Sequence, residues 1–131
     1  MTREEMQALE INGEAYHIAY DPTTTTIAFQ GTLRLRGTTD YSPIKQLLDE
    51  VAQTASEVIT LDLRELRFLN SAGINMLCEF VIEMREQATS QIVIRGSTEI
   101  LWQNRSLRNL EKLMPRLQLD LAQSATPQID L

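Results

Sequence analysis

The sequence is poor in the residues that build most catalytic and metal sites. It has one cysteine, Cys78, and one histidine, His17, in 131 residues. A single thiol excludes an internal disulfide, and one Cys with one His cannot form a Cys/His zinc centre. No carboxylate pair or Ser/His/Asp order suggests hydrolysis, and no glycine-rich loop with a lysine is present to cradle phosphates. No catalytic residue, metal or cofactor is therefore expected. Basic residues are scarce too: 12 Lys and Arg stand against 18 Asp and Glu, for a net charge of −6 and a pI near 4.8. Phosphate binding needs a clustered basic face, so nucleic acid is not an expected partner. No apolar run approaches the roughly 20 residues of a membrane span. The opening Met1-Thr2-Arg3-Glu4-Glu5 has no apolar core of a signal peptide. These absences lead to the expectation of a cytoplasmic protein with no membrane partner.

What is present is ordinary globular material, 43% apolar and 23% charged, in a length that suits one domain with a real core. Residues 1–12 read as a polar leader, 13–121 as the domain and 122–131 as a tail. Tyr16 to Tyr20 and Thr25 to Gln30 are β-branched or apolar and flank the turn signal Asp21-Pro22-Thr23-Thr24, which predicts a hairpin. Thr32 to Asp40 reads as an irregular connector. Ser42 and Pro43 then suit the cap and first position of a helix. Ile44, Leu47, Leu48, Val51 and Ala55 give it one apolar face. Val58 to Leu63 reads as a buried strand, Arg64 to Asn70 as a loop, and Ser71 to about Gln87 as a helix. Ile92 to Ile94 is a further strand. A helical region from Ser97 to Met114, broken near Asn104, stops at Pro115. Alternation at Leu117, Leu119 and Leu121 marks a last strand. Such alternation of strands and helices predicts an α/β domain, a mixed β-sheet of about four to six strands with helices packed on it.

The informative segment is Leu61-Asp62-Leu63-Arg64-Glu65-Leu66-Arg67-Phe68-Leu69-Asn70-Ser71-Ala72-Gly73-Ile74. Phe68 and Leu69 are apolar and are expected to anchor the loop in the core. Asn70 and Ser71 are both strong N-cap types. The Ser71 hydroxyl is thus expected beside unpaired N–H groups at the positive end of a helix. A phosphate there would be tolerated by its own fold, yet would add up to about two negative charges for a docked partner to meet. A plain capping role is the competing explanation. Gly73, in the first turn, costs roughly 1 kcal/mol relative to Ala and would let another protein approach. The helix carries a wide apolar arc: Ile74, Leu77, Val81 and Met84 at its centre, Cys78 and Ile82 on one flank, Met76 and Phe80 on the other. Either a neighbouring helix or a partner must cover the surplus.

Phe68-Leu69-Asn70-Ser71-Ala72-Gly73-Ile74, set between a strand ending in Asp62-Leu63 and an apolar helix, resembles the signature of the STAS domain of bacterial anti-sigma-factor antagonists. Asn70 stands where the family usually has Asp, and Ala72 replaces a Ser or Thr. Ser71 matches the serine that a partner kinase phosphorylates, and Gly73 and Ile74 match as well. The resemblance implies a non-enzymatic, phosphorylation-controlled switch with a STAS-like fold. It implies a partner that is an anti-sigma factor or histidine-kinase-like serine kinase, supplying its own ATP and Mg²⁺, and a serine phosphatase that reverses the reaction. Ser71 is the implied phosphoacceptor, and Asn70, Gly73, Ile74, Met76, Phe80 and Asp62 the expected partner-binding residues. The Asn70 departure keeps an alternative open: a STAS-like adaptor or assembly subunit that is never phosphorylated.

The remaining candidates have plainer explanations. His17 is expected on a strand with no nucleophile in reach. Cys78 is expected as a buried, inert thiol. Trp102 is expected to pack against the sheet rather than form an interface with Arg105, Arg108 and Lys112.

Overall fold

The computed structural model describes residues 9–54, 57–87 and 90–122. Its elements are β1 (Leu9–Asn12), β2 (Tyr16–Asp21), β3 (Thr26–Leu33), α1 (Gly37–Thr54), β4 (Val58–Leu69), α2 (Ser71–Gln87), β5 (Gln91–Ser97), α3 (Leu101–Leu113) and β6 (Gln118–Ala122). The strands form one sheet in sequence order. β1, β2 and β3 are an antiparallel meander, and β3 to β6 are parallel. Each parallel step is a strand–helix–strand crossover towards the same sheet edge. Crossovers of one hand taken in one direction put all the helices on one face, and α2 packs between α1 and α3. Alternation follows: Ile18, Ile27, Phe29, Ile59, Leu61, Ile92 and Ile94 are buried beneath the helices. Between them, Ala19, Ala28, Thr60, Asp62, Val93 and Arg95 are only half-buried on the other face.

β4 is longer than its sequence pattern suggests. Its register with β3 slips between Ala28 and Gln30 and again between Gly31 and Thr32, leaving one extra β4 residue at each bulge. Buried positions therefore run every second residue at Ile59, Leu61 and Leu63, and every third at Leu66 and Leu69. That broken period makes Arg64 to Asn70 read as a loop, although the strand continues to Leu69. β5 pairs only with Val58 to Asp62, so the upper edge of β4 needs other partners. Gln103, fully buried, supplies them. Its Nε2 donates to the Leu63 and Leu66 carbonyls at 2.6 and 3.0 Å, and its Oε1 accepts the Ser97 N–H at 2.7 Å. Trp102 Nε1 donates to the Leu66 carbonyl at 3.0 Å. Among the described residues no buried side-chain nitrogen or oxygen is left unpaired, as a polar group inside a core requires.

Three boundaries differ from expectation. Leu9 to Asn12, placed in the polar leader, is the edge strand β1, and Leu9 and Ile11 pack against the core. Four residues carry too little pattern to announce a strand that exists only by pairing with β2. Residues 1–8 of that leader, and the tail from 123 onward, lie outside the described residues. α1 begins at Gly37, not Ser42. Buried Tyr41 commits the connector to helix, the Asp40 carboxylate reaches back to the Arg36 N–H at 3.2 Å, and the Ser42 hydroxyl donates to the Thr38 carbonyl instead of capping. α3 begins at Leu101 and is continuous through Asn104, whose amide donates back to the Thr98 carbonyl at 2.9 Å.

Candidate functional site

The site is assembled where β4 ends and α2 starts. Leu69 is buried, and the next residue, Asn70, is the N-cap of α2. Its Oδ1 accepts the Gly73 N–H at 3.0 Å, and its carbonyl accepts the Ile74 N–H at 3.0 Å. Capping uses only part of the side chain. Tyr41, on α1, donates its hydroxyl to the same Oδ1 at 2.6 Å, while Asn70 Nδ2 donates to the Leu35 carbonyl at 2.8 Å. The Asn70 N–H donates to the Leu33 carbonyl at 3.1 Å. Asn70 thus ties together the end of β3, the connector, α1 and α2. The Gly73 N–H and Leu35 C=O have fixed roles, so the amide orientation is determined. A carboxylate has no N–H to give Leu35. The amide at position 70 thus makes a contact with Leu35 that an aspartate could not. Burial raises the Tyr41 pKa, keeping the phenol a donor.

Ser71 is the first residue of α2 and is exposed. Its hydroxyl has no hydrogen-bond partner among the described residues. The first turn of α2 contains no acidic residue, so nothing there offsets the positive end of the helix dipole. Ile74 is half-buried one turn further on.

The other expected docking residues are elsewhere. Gly73 is buried and does not open the surface to a partner. A Cβ on it would lie 2.2 Å from Leu69 Cδ1 and 2.7 Å from Tyr41 Oη, so the glycine lets those two side chains pack behind the helix start. Met76 and Phe80 are core residues, 4% and 1% exposed, and do not border a docking surface. The surplus apolar arc of α2 is covered on both flanks because the helix lies between α1 and α3. Asp62 is in the middle of β4 on the face without helices, not beside Ser71. Arg64 grips it through Nε and Nη2 at 2.9 and 2.8 Å. Burial pushes the Asp62 carboxyl up, but the Arg64 side chain and N–H outweigh it, and the net shift is downward. His17 pairs with Asn12 and faces Glu10 at 3.9 Å. Cys78 is half-buried, and burial raises its pKa.

The sequence pattern does not announce two surface features at this end of the sheet. Phe68, expected as a core anchor, is 38% exposed because the second bulge turns it outward, and the Arg34 guanidinium lies 4.7 Å above its ring. Leu101, at the start of α3, is 87% exposed. No local signal distinguishes Phe68 from Leu69; the bulge does. Tyr41 was likewise invisible as a site residue, because its contact with Asn70 spans 29 positions. Among the described residues no group of His, Cys, Asp and Glu is placed to hold a metal, and no helix is long and apolar enough to cross a membrane.

The family model described as "Mlab, STAS domain" matches residues 23–120, and the chain belongs to the STAS domain family. No curated protein gives a significant match. Among solved structures, apo-SiaC of Pseudomonas aeruginosa has a similar fold, with a TM-score of 0.67 and 13% identity over 91% of this chain and 100% of that one. The complex of the diguanylate cyclase SiaD with its activator SiaC, from the same organism, contains a chain matched with a TM-score of 0.67 and 12% identity over 88% of this chain and 99% of that one. An anti-sigma factor antagonist from Mycobacterium paratuberculosis matches with a TM-score of 0.50 and 17% identity over 87% of this chain and 84% of that one.

Proposed function

We propose that this chain is a protein-binding regulatory domain that docks through the start of α2, and that phosphorylation of Ser71 switches the docking off. The observation that carries the proposal is an exposed hydroxyl with no partner among the described residues, on the first residue of a helix whose cap is otherwise fully bonded. A phosphate at that position disturbs no internal contact and sits at the favourable end of the helix dipole. The same two charges would break a snug protein interface by desolvation and repulsion. Asn70 and Ile74 border the serine, and exposed Phe68 with Arg34 and Leu101 extend the contact surface at this end of the sheet. The domain acts by binding, and the kinase contributes the nucleotide and metal. The partner class is a serine kinase of the histidine-kinase-like, anti-sigma type, with a phosphatase for reversal. Similarity to an anti-sigma factor antagonist and to an activator bound to its cyclase supports a protein partner.

A second reading is favoured by one observation. Asn70 commits both ends of its side chain to Tyr41, Gly73 and Leu35, and brings no carboxylate to orient or deprotonate Ser71. The domain would then be a constitutive adaptor. Incubation with a kinase encoded beside it and ATP, followed by mass spectrometry and a binding assay, separates the two. The switch requires one phosphate on Ser71, none on Ser71→Ala, and at least a tenfold loss of partner affinity on phosphorylation. Stable binding that ignores ATP and is unchanged in Ser71→Asp leaves only the adaptor.

A further inference from the structure

The outer side of α3 carries a line of charge that the Ser71 site does not use. At about 3.6 residues per turn, Leu101, Arg105, Arg108 and Lys112 fall within about 60° of one another around the helix. The buried residues Gln103, Leu107 and Leu110 lie on the opposite side. The line therefore points straight away from the sheet, and all four of its residues are exposed, Leu101 by 87%. None of its three cations forms an ion pair among the described residues. Glu111, the one carboxylate of α3, is half-buried off this line. Like charges three and four positions apart on a helix repel each other. α3 also starts at Ile100 without a side-chain cap. The helix thus bears an uncompensated positive ridge that does nothing for its own stability.

That ridge runs against the charge of the molecule. The chain has a net charge of −6, and α2, packed beside α3, shows Glu79 and Glu86 to solvent. The positive line is roughly 16 Å long and one helix wide. We propose that it is a second docking surface, which receives an acidic helix of a partner protein. That helix carries carboxylates at the same three- and four-residue spacing as Arg105, Arg108 and Lys112, and an apolar side chain over Leu101. Width decides the occupant. Salt confines an exposed charge to about 8 Å, about the distance between packed helices. A partner one helix wide therefore meets the cations of α3 without meeting the carboxylates of α2. A nucleic acid or an anionic bilayer is broader and meets both, and one exposed leucine gives a bilayer little to hold. The Arg and Lys stems supply apolar cover along the contact while their heads pair with carboxylates. The assignment rests on the reading of this chain as a protein-binding domain but not on Ser71.

The test uses the ¹⁵N-labelled full chain and a synthetic stapled helix of roughly 15 residues, long enough to span the line, with one leucine and three glutamates at the matching spacing. A control peptide of the same composition spreads its glutamates around the helix. The matched peptide is expected to shift the amides of 101–112 saturably, with half-saturation in roughly the millimolar range, since each exposed ion pair raises affinity by at most about fivefold. The control should show no saturation. Arg108→Gln removes one repulsion within α3, so it should leave the fold intact and weaken the response at least about twofold. Combining Arg105→Glu, Arg108→Glu and Lys112→Glu should abolish the response to the glutamate peptide and create one to its lysine counterpart. Ser71→Ala should change nothing, so this surface and the Ser71 switch fail separately. Equal binding of the control, shifts mapping elsewhere, no saturation by the wild type or an undiminished response in Arg108→Gln would each overturn the assignment. So would a single-stranded oligonucleotide or phosphatidylglycerol vesicles binding about tenfold tighter than the matched peptide.

Discussion

Replacing Asn70 by alanine removes three side-chain hydrogen bonds at one point, and the structure sets the size of the effect. The helix loses its side-chain cap on the Gly73 N–H, which costs about 1 kcal/mol. The Tyr41 hydroxyl, on a residue only 1% exposed, loses its acceptor, and the Leu35 carbonyl loses the amide donor. Each buried group left unsatisfied costs about 1–3 kcal/mol. Allowing for water entering beside exposed Ser71, we expect Asn70→Ala to lower the unfolding free energy by about 3 kcal/mol, a large share of a domain stability of about 5–15 kcal/mol. Asn70→Asp keeps the cap and the Tyr41 bond but turns an oxygen towards the Leu35 carbonyl, so its loss should be about 1 kcal/mol. Tyr41→Phe should cost a similar amount, and less in the Asn70→Ala background, with a coupling near 1 kcal/mol. Urea titration followed by circular dichroism reads all four as shifts in midpoint at constant slope. If Asn70→Ala lies within 0.5 kcal/mol of wild type (roughly the error of the method), or if the Tyr41 and Asn70 effects are additive, the four-segment tie is not what holds this site.

Two further substitutions test the surroundings of the site. Gly73→Ala would gain about 1 kcal/mol of helix propensity but drives a methyl into Leu69 and the Tyr41 hydroxyl, an overpacking cost of about 1–3 kcal/mol. A lowered melting temperature is the expected result, and a raised one would show that Leu69 yields freely. Asp62 has a folded pKa below its ordinary value of 3.8. Its carboxylate therefore stabilises the fold above that pH, and the contribution disappears as pH falls through the lowered folded value. The stability difference between wild type and Asp62→Asn should thus be largest near pH 6, at less than about 1 kcal/mol for a partly exposed pair, and shrink as the pH falls below 3.8. A difference that does not shrink on acidification would mean that the ionised pair with Arg64 is not the cause.

The sequence by itself determined the elements whose pattern is local. The apolar face of α1, the alternation in β2, β3 and β5, and the Asn-Ser-Ala-Gly start of α2 all follow from side-chain period and capping chemistry. They were enough for an α/β sheet with parallel neighbours and for an exposed serine at a helix start. Only the tertiary structure decided which apolar residues of that region face solvent. Met76 and Phe80 are core because α2 is flanked by two helices, and Phe68 is exposed because a bulge rotates it, and neither cause is written within a few residues of the position. Likewise Gly73 is small to admit Tyr41, and Asn70 is an amide because Leu35 offers it a carbonyl. Those partners are 29 to 35 positions away along the chain, and a short-range pattern carries no information about contacts that exist only once the chain has closed on itself.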